Sequence, residues 1–161
     1  MIFLNSQVIY PKIYEKILDK IILGCSLDVV GVSASMHFHI TEAVHGSAGW
    51  VHTDESRKPG ITCIAYLNNV EPSLNNGTSF FKAKDPSYIT NPDTIKKMRE
   101  SFKLNVDYKE EKTLHNKNFK EVLRVGEYYN RMLMFDNRQY HAGSGYYGDN
   151  KESARLTLIT F

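Results

Sequence analysis

Cysteine is nearly missing from this chain. Cys25 and Cys63 are the two among 161 residues, too few for a disulfide framework, and a reducing compartment such as the cytoplasm is the expected setting. Long apolar runs are missing as well. Nothing approaches the ~18 residues needed to span a bilayer, and Met1 to Lys12 lacks the basic segment and long apolar stretch of a secretory signal. A soluble protein with no membrane partner is therefore expected. Charge of one sign is absent too: 20 Lys and Arg stand against 18 Asp and Glu, for a formal net charge of +2. That balance excludes a strongly basic nucleic-acid arm and an acidic tail, and it disfavours nucleic acid as a partner. No internal repeat or low-complexity segment is present. What the chain does have is a core: Leu, Ile, Val and Phe account for 42 of 161 residues, above the level at which disorder is the default. A chain of this length is expected to form one domain, residues 1–161, burying roughly two-thirds of its unfolded surface.

Periodicity organises that domain. Between Pro11 and Gly24 the apolar residues Ile13, Tyr14, Ile17, Leu18, Ile21 and Ile22 recur at helical spacing, with Pro11 suited to the first turn and Gly24 to the end. An amphipathic helix is predicted there. The period then changes to two, with Val32, Ala34, Met36, Phe38 and Ile40 alternating with Ser33, Ser35, His37 and His39, the pattern of a half-buried strand. Further strands are predicted over Trp50 to Thr53, Ile61 to Leu67, Thr78 to Lys82, Lys120 to Val125, Arg131 to Phe135 and Arg155 to Phe161. Turn-formers such as Lys58-Pro59-Gly60, Asn75-Asn76-Gly77 and Gly143-Ser144-Gly145 separate them. Short strands broken by turns point to a β-sandwich or barrel with flanking helices. A helical insertion at about 84–118 interrupts the pattern, beginning at Asn91-Pro92-Asp93 and carrying Ile95, Met98 and Phe102 on one face. From Lys82 to Lys120 there are ten Lys and Arg and six Asp and Glu. The insertion thus holds all the excess positive charge, and as a loop between strands it is expected to select substrate.

Six histidines are present, and His52-Thr53-Asp54 is the one His-x-Asp/Glu triplet. A shuffled chain of this composition would contain about one such triplet by chance, so alone it decides nothing. In an extended segment, however, residues i and i+2 point to the same side, so His52 and Asp54 can offer an imidazole and a carboxylate to one ion. His141, which follows the predicted strand Arg131 to Phe135, can supply a third ligand from a neighbouring strand. Two histidines and a carboxylate on one face leave the opposite coordination positions open, as in non-haem Fe(II) oxygenases. Zinc would accept the same donors. Arg155 and Thr157 distinguish the two, because a forked cation and a hydroxyl on one side of a strand suit a dicarboxylate whose other end chelates iron. That dicarboxylate would be 2-oxoglutarate.

Longer motifs agree with this reading. Ile61 to Asn68, following His-x-Asp, resembles the corresponding strand of the prolyl hydroxylases. Asn75 to Phe80 resembles their Gly-Gly-x-Thr-x-Phe turn and strand, Tyr129 to Phe135 the strand before the second histidine, and Arg155 to Phe161 the closing strand. The resemblance covers about Trp50 to Phe161 without the insertion. It implies a mainly β fold built on a double-stranded β-helix, or jelly-roll, core, with Fe(II) bound by His52, Asp54 and His141. It further implies 2-oxoglutarate held by Arg155 with Tyr66 and Thr157 assisting, O2 as oxidant, and hydroxylation of an unactivated C–H bond with release of succinate and CO2. The substrate class is an amino-acid residue, a peptide or a small metabolite. The chain departs from the family where Asn76-Gly77 or Asn75-Asn76, depending on alignment, replaces a glycine pair, and where Tyr146 to Asn150 lengthens the turn before Arg155. Lys151, ten residues after His141, competes for the carboxylate role because procollagen-type hydroxylases use a lysine near that spacing. Arg155 is preferred, since it opens the Arg-x-Thr-x-Ile strand whereas Lys151 lies in a polar, loop-like stretch.

Other readings attach to the same residues. A cupin-like metal-binding protein or zinc hydrolase would share the ligands without using Arg155, and a non-catalytic jelly-roll binding module would need no ferrous iron. His37 and His39 share a strand face and are expected on a polar sheet surface or in a pocket wall. His45 and His115 are expected to be exposed, Trp50 to be core, Cys63 to be a small buried hydrophobe, and Glu55 to point away from Asp54.

Overall fold

The computed structural model describes residues 3–5, 11–25, 35–43, 48–54, 59–104 and 106–160. Its elements in order are β1 (Phe3–Asn5), α1 (Pro11–Cys25), β2 (Met36–Thr41), β3 (Ile61–Tyr66), β4 (Ser73–Ala83), α2 (Pro92–Leu104), α3 (Lys109–Asn116), β5 (Phe119–Glu127), β6 (Met132–Asp136), β7 (His141–Gly143) and β8 (Arg155–Thr160). The chain is mainly β: five strands form one antiparallel sheet in the order β1-β2-β8-β3-β6, and three form a second in the order β5-β4-β7. No helix among the described residues is long and apolar enough to cross a membrane.

Helix α1 matches the predicted span, with Ile21 buried and Ile17, Leu18 and Ile22 half-buried on its apolar face. The expected inward positions Ile13 and Tyr14, like Phe102 of α2, lie outside the residues whose side chains are described, as do Val32 to Ala34, His45, Glu55 and Phe161. Two expectations need correction and one strand was not expected. Trp50 to Thr53 belongs to neither sheet; His52 makes an isolated antiparallel bridge to His141. Asn75-Asn76-Gly77 is not a turn but lies inside β4, where the register against β5 shifts between Ser73 and Gly77. Gly77 has φ +112°, a conformation that suits residues without a Cβ, so the turn-like composition marks an irregular strand. And β7, three residues long, carries too few positions to show a period.

Alternation explains how the sheets face each other. His39 and Thr41 of β2, Thr62 and Ile64 of β3, and Arg155, Thr157 and Ile159 of β8 are spaced two apart within each strand, and all line one cavity. The opposite wall includes Thr78 of β4 with His141 and Gly143 of β7. A period-two strand sends such residues to one face, so the cavity lies between the two sheets.

Ala142 points the other way from His141. It packs with Val51 and Phe119 in a second apolar cluster that Phe81, Ala83, Tyr88 and Tyr140 extend. The insertion covers this cluster. His115 of α3 is buried, which corrects the expectation that it is exposed; its ring lies 5.1 Å from that of Phe119 and 5.8 Å from that of Trp50. Its Nε2 meets the Val51 carbonyl at 2.8 Å and its Nδ1 the Tyr88 hydroxyl at 3.1 Å. Asn116 adds two bonds, accepting from the Val51 N–H at 3.0 Å and donating to the Gly49 carbonyl at 2.9 Å. The end of the insertion is thus part of the packed interior and holds the segment that leads into His52.

This brace carries an expected result. Asn116→Ala removes two hydrogen bonds from residues 49–51, each worth about 1 kcal/mol, and His115→Ala leaves the Val51 carbonyl without its side-chain partner. Either variant should melt earlier in a thermal scan. Mn(II) affinity should also fall several-fold in titration, because the backbone that aims His52 is loosened. An unchanged metal affinity beside a lowered melting point would limit the brace to stability.

Candidate metal centre and cavity

The site begins with backbone pairing. The His52 N–H donates to the His141 carbonyl at 3.0 Å and the His141 N–H to the His52 carbonyl at 2.9 Å, which sets the two imidazoles side by side with ring centroids 4.5 Å apart. Asp54, two residues on, is anchored by its N–H donating to the Asn137 carbonyl at 3.0 Å. The spacing argument from sequence therefore brings together the three residues it named: one ligand atom from each of His52, Asp54 and His141 lies within 4.8 Å of the others.

Both imidazoles are held in the same way. His52 Nδ1 contacts the carbonyl of Trp50 at 2.8 Å, and His141 Nδ1 that of Gln139 at 3.0 Å. A carbonyl only accepts, so each Nδ1 carries the hydrogen and each Nε2 presents a lone pair. Those Nε2 atoms lie 3.5 Å from Asp54 Oδ1 (His52) and 3.5 Å from Asp54 Oδ2 (His141). Donors about 2.0–2.2 Å from a shared ion are separated by roughly 3.0–3.5 Å, so both histidine–carboxylate separations have that spacing, and the three residues together could hold a metal ion. Thr62 Oγ1 donates to Asp54 Oδ2 at 2.6 Å and fixes the carboxylate.

Electrostatics within the trio are uneven. Burial and then the neighbouring His52 push His141 down to about 4, with Asp54 and the Gln139 carbonyl only partly offsetting them. For His52, burial also acts downward, but the hydrogen bond and charge of Asp54 and the Trp50 carbonyl prevail and raise it above the ordinary value. Burial would raise Asp54, yet the two histidines and Thr62 hold it below the usual carboxylate range. Asp54 thus favours the protonated form of His52, and an ion bound at its Nε2 would compete with that proton.

The cavity above the trio has a volume of about 260 Å³. Arg155 lies in its wall, 6% exposed. Its Nη2 donates to the Gly77 carbonyl at 3.0 Å, and its guanidinium carbon is 5.4 Å from the centre of the Tyr66 ring and 5.7 Å from that of Tyr146. Tyr66 is fully buried and donates its hydroxyl to Thr78 Oγ1 at 2.8 Å. Thr157 is buried in the same wall, opposite both His39 of β2 and Tyr66 of β3. Lys151 is exposed in the turn before β8 and is not among the cavity residues. His39 lines the cavity, where burial, then His37 and Arg155, push it down to about 4. Trp50 and Cys63 are buried as expected.

Sequence reasoning missed two groups beside Arg155, of which Tyr146 lines the cavity and Glu127 does not. Tyr146 packs its hydroxyl against two glycines: a Cβ at Gly49 would lie 2.5 Å from it, and one at Gly143 2.6 Å. Glu127, at the end of β5, is completely buried, with Oε1 accepting from the Tyr147 hydroxyl at 2.8 Å and Oε2 3.5 Å from Arg155 Nε. Neither had a motif to mark it. The run of tyrosines in Gly143-Ser144-Gly145-Tyr146-Tyr147 was the nearest available signal.

In class, then, this is a mainly β protein with a two-histidine, one-carboxylate cluster at a cavity between two antiparallel sheets. It belongs to DUF6445, a family of unknown function, whose sequence profile matches residues 24–161. Nothing among the curated proteins and nothing among the solved structures matches the chain.

Proposed function

We propose that this protein is an Fe(II)- and 2-oxoglutarate-dependent oxygenase with a jelly-roll core, hydroxylating an unactivated C–H bond of an amino-acid residue, peptide or small metabolite. The observation that carries the reading is convergence: His52, Asp54 and His141 share one cavity with Arg155, a buried guanidinium from a different sheet than His141. A metal-only site has no need of that cation, whereas a cosubstrate with an acid at each end does. Bound iron and 2-oxoglutarate would supply the oxygen activation, the cosubstrate leaving as succinate and CO2 while one oxygen atom of O2 enters the substrate C–H bond.

The chain's own residues have distinct parts in this scheme. His52, Asp54 and His141 hold the ion through one atom each and leave its remaining positions to exogenous ligands. Thr62 and the Trp50 and Gln139 carbonyls keep those atoms aimed. Arg155, flanked by Tyr66 and Thr157, receives the far carboxylate in a wall from which water is largely excluded, where a charge-assisted contact is strong. Ile64 and Ile159 add apolar surface to the cavity.

One observation favours a second reading, a cupin-like metal-binding protein or a non-catalytic jelly-roll module: Arg155 already has a carboxylate beside it in Glu127. Anaerobic titration of the Fe(II) protein with 2-oxoglutarate separates the two. The oxygenase reading expects the weak visible charge-transfer band of an iron chelate. Iron binding with no band on adding 2-oxoglutarate would favour the metal-binding alternative, and no iron binding the non-catalytic module.

A further inference from the structure

Glu127 is an unusual neighbour for a residue proposed to receive a carboxylate. Its side chain is completely buried, on a strand of the second sheet, while Arg155 belongs to the first. A carboxylate removed from water is costly unless it is paired and hydrogen-bonded, yet this pair is loosely made. Glu127 Oε2 and Arg155 Nε are 3.5 Å apart and neither has a hydrogen-bond partner. Contact is made at the Nε edge, and the Gly77 carbonyl takes an Nη2 hydrogen. The other polar neighbours of the pair, the hydroxyls of Tyr66, Tyr146 and Tyr147, carry no formal charge at neutral pH, so Glu127 is the carboxylate in ion-pair range of Arg155 among the described residues.

We infer that Glu127 is a resident counter-ion that lowers the cavity's affinity for acids and so restricts it to ligands anchored at both ends. The inference rests on the oxygenase reading above. With Glu127 in place, the attraction of Arg155 for an arriving carboxylate is partly cancelled by repulsion from a second carboxylate in a poorly screened interior. A simple anion then gains too little at Arg155 alone to stay. A dicarboxylate whose 2-oxo acid end is also held at the metal centre gains enough from two attachments. Glu127 thereby contributes selectivity by subtraction, a repulsive element set against the wrong ligands.

The sign of one substitution distinguishes this role from a structural one. Glu127→Gln keeps the shape and an amide oxygen for the Tyr147 hydroxyl but removes the charge. The measurement is calorimetric titration of 2-oxoglutarate, and separately of glutarate, which has both carboxylates but no 2-oxo group, into the anaerobic Mn(II)-loaded full chain. Wild type should bind 2-oxoglutarate and show little or no binding of glutarate. Glu127→Gln should bind 2-oxoglutarate about tenfold tighter or more, roughly 1.4 kcal/mol, and should bind glutarate measurably. Glu127→Ala, which also lacks the charge, should move in the same direction and serves if the glutamine variant does not fold. Weaker 2-oxoglutarate binding in these folded variants would mean that Glu127 merely holds the guanidinium in place; the inference would fall and the oxygenase reading would stand. Binding of neither acid by wild type or variants would remove both.

Discussion

Replacing His141 by alanine is expected to abolish tight Fe(II) binding and turnover while leaving the protein folded. Its imidazole offers one of the three candidate ligand atoms, and its Nε2 is already directed at the trio by the Gln139 carbonyl. Losing a partner that only orients a ligand typically costs 10- to 100-fold in metal affinity, so losing the ligand itself should cost more than ~100-fold. The fold should survive because what joins residue 141 to residue 52 is a pair of backbone hydrogen bonds, which alanine retains. His52→Ala is expected to behave alike. Asp54→Ala should be milder and retain some metal: it deletes the charged donor, but also the group whose hydrogen bond and charge raise His52, so an ion meets less competition from protons there. Metal titration with parallel circular dichroism checks all three. Normal iron binding by a folded His141→Ala variant would show that the trio is not the metal site.

How much of this was legible beforehand depended on whether a residue's role leaves a period or a spacing. Helix α1 and strands β3 and β8 have observed bounds that lie within about a residue of the predicted ones. The ligands His52 and Asp54 were legible because two residues is the repeat of an extended chain, even though their segment joins no sheet and pairs at His52 alone. Helix α3 was not legible because its buried positions are Lys112 and His115, while Leu114 is 67% exposed. It presents polar groups inward because what it contacts is backbone, the carbonyls and N–H of Gly49 and Val51. A helix that satisfies hydrogen bonds carries no hydrophobic stripe. For the same reason the insertion, expected to be a substrate-selecting loop, ends in the core. Glu127 was invisible for a different reason: a single acid at a strand end looks solvated, and its partner Arg155 lies on a strand of the other sheet. Two separated charges make a pair only once the sheets are stacked.

The largest effect on the cosubstrate is expected at Arg155. Its guanidinium is buried in the cavity wall, held by the Gly77 carbonyl and lying near the rings of Tyr66 and Tyr146, so little ordering remains to be done when a carboxylate arrives. A hydrogen bond to a charged group contributes about 1.5–3 kcal/mol, and each ~1.4 kcal/mol is tenfold in affinity. Arg155→Ala should therefore weaken 2-oxoglutarate binding by about 10- to 100-fold or more. The loss should sit toward the upper end because the substitution also strands Glu127, a buried carboxylate whose ion-pair partner would be gone. Metal affinity should scarcely change, since the groups that aim the trio's donor atoms are the Trp50 and Gln139 carbonyls and Thr62. Lys151→Ala should have little effect, that side chain being exposed in a turn away from the cavity wall. Arg155→Lys restores a charge but not the planar fork that can meet Gly77, Glu127 and a ligand at once, so it should recover part of the loss and no more. Calorimetric titration of 2-oxoglutarate into the anaerobic Mn(II) protein, for wild type and the three variants, reads each expectation directly. Equal affinity in wild type and Arg155→Ala would remove the cosubstrate from this cavity and leave a two-histidine, one-carboxylate metal site serving some other chemistry.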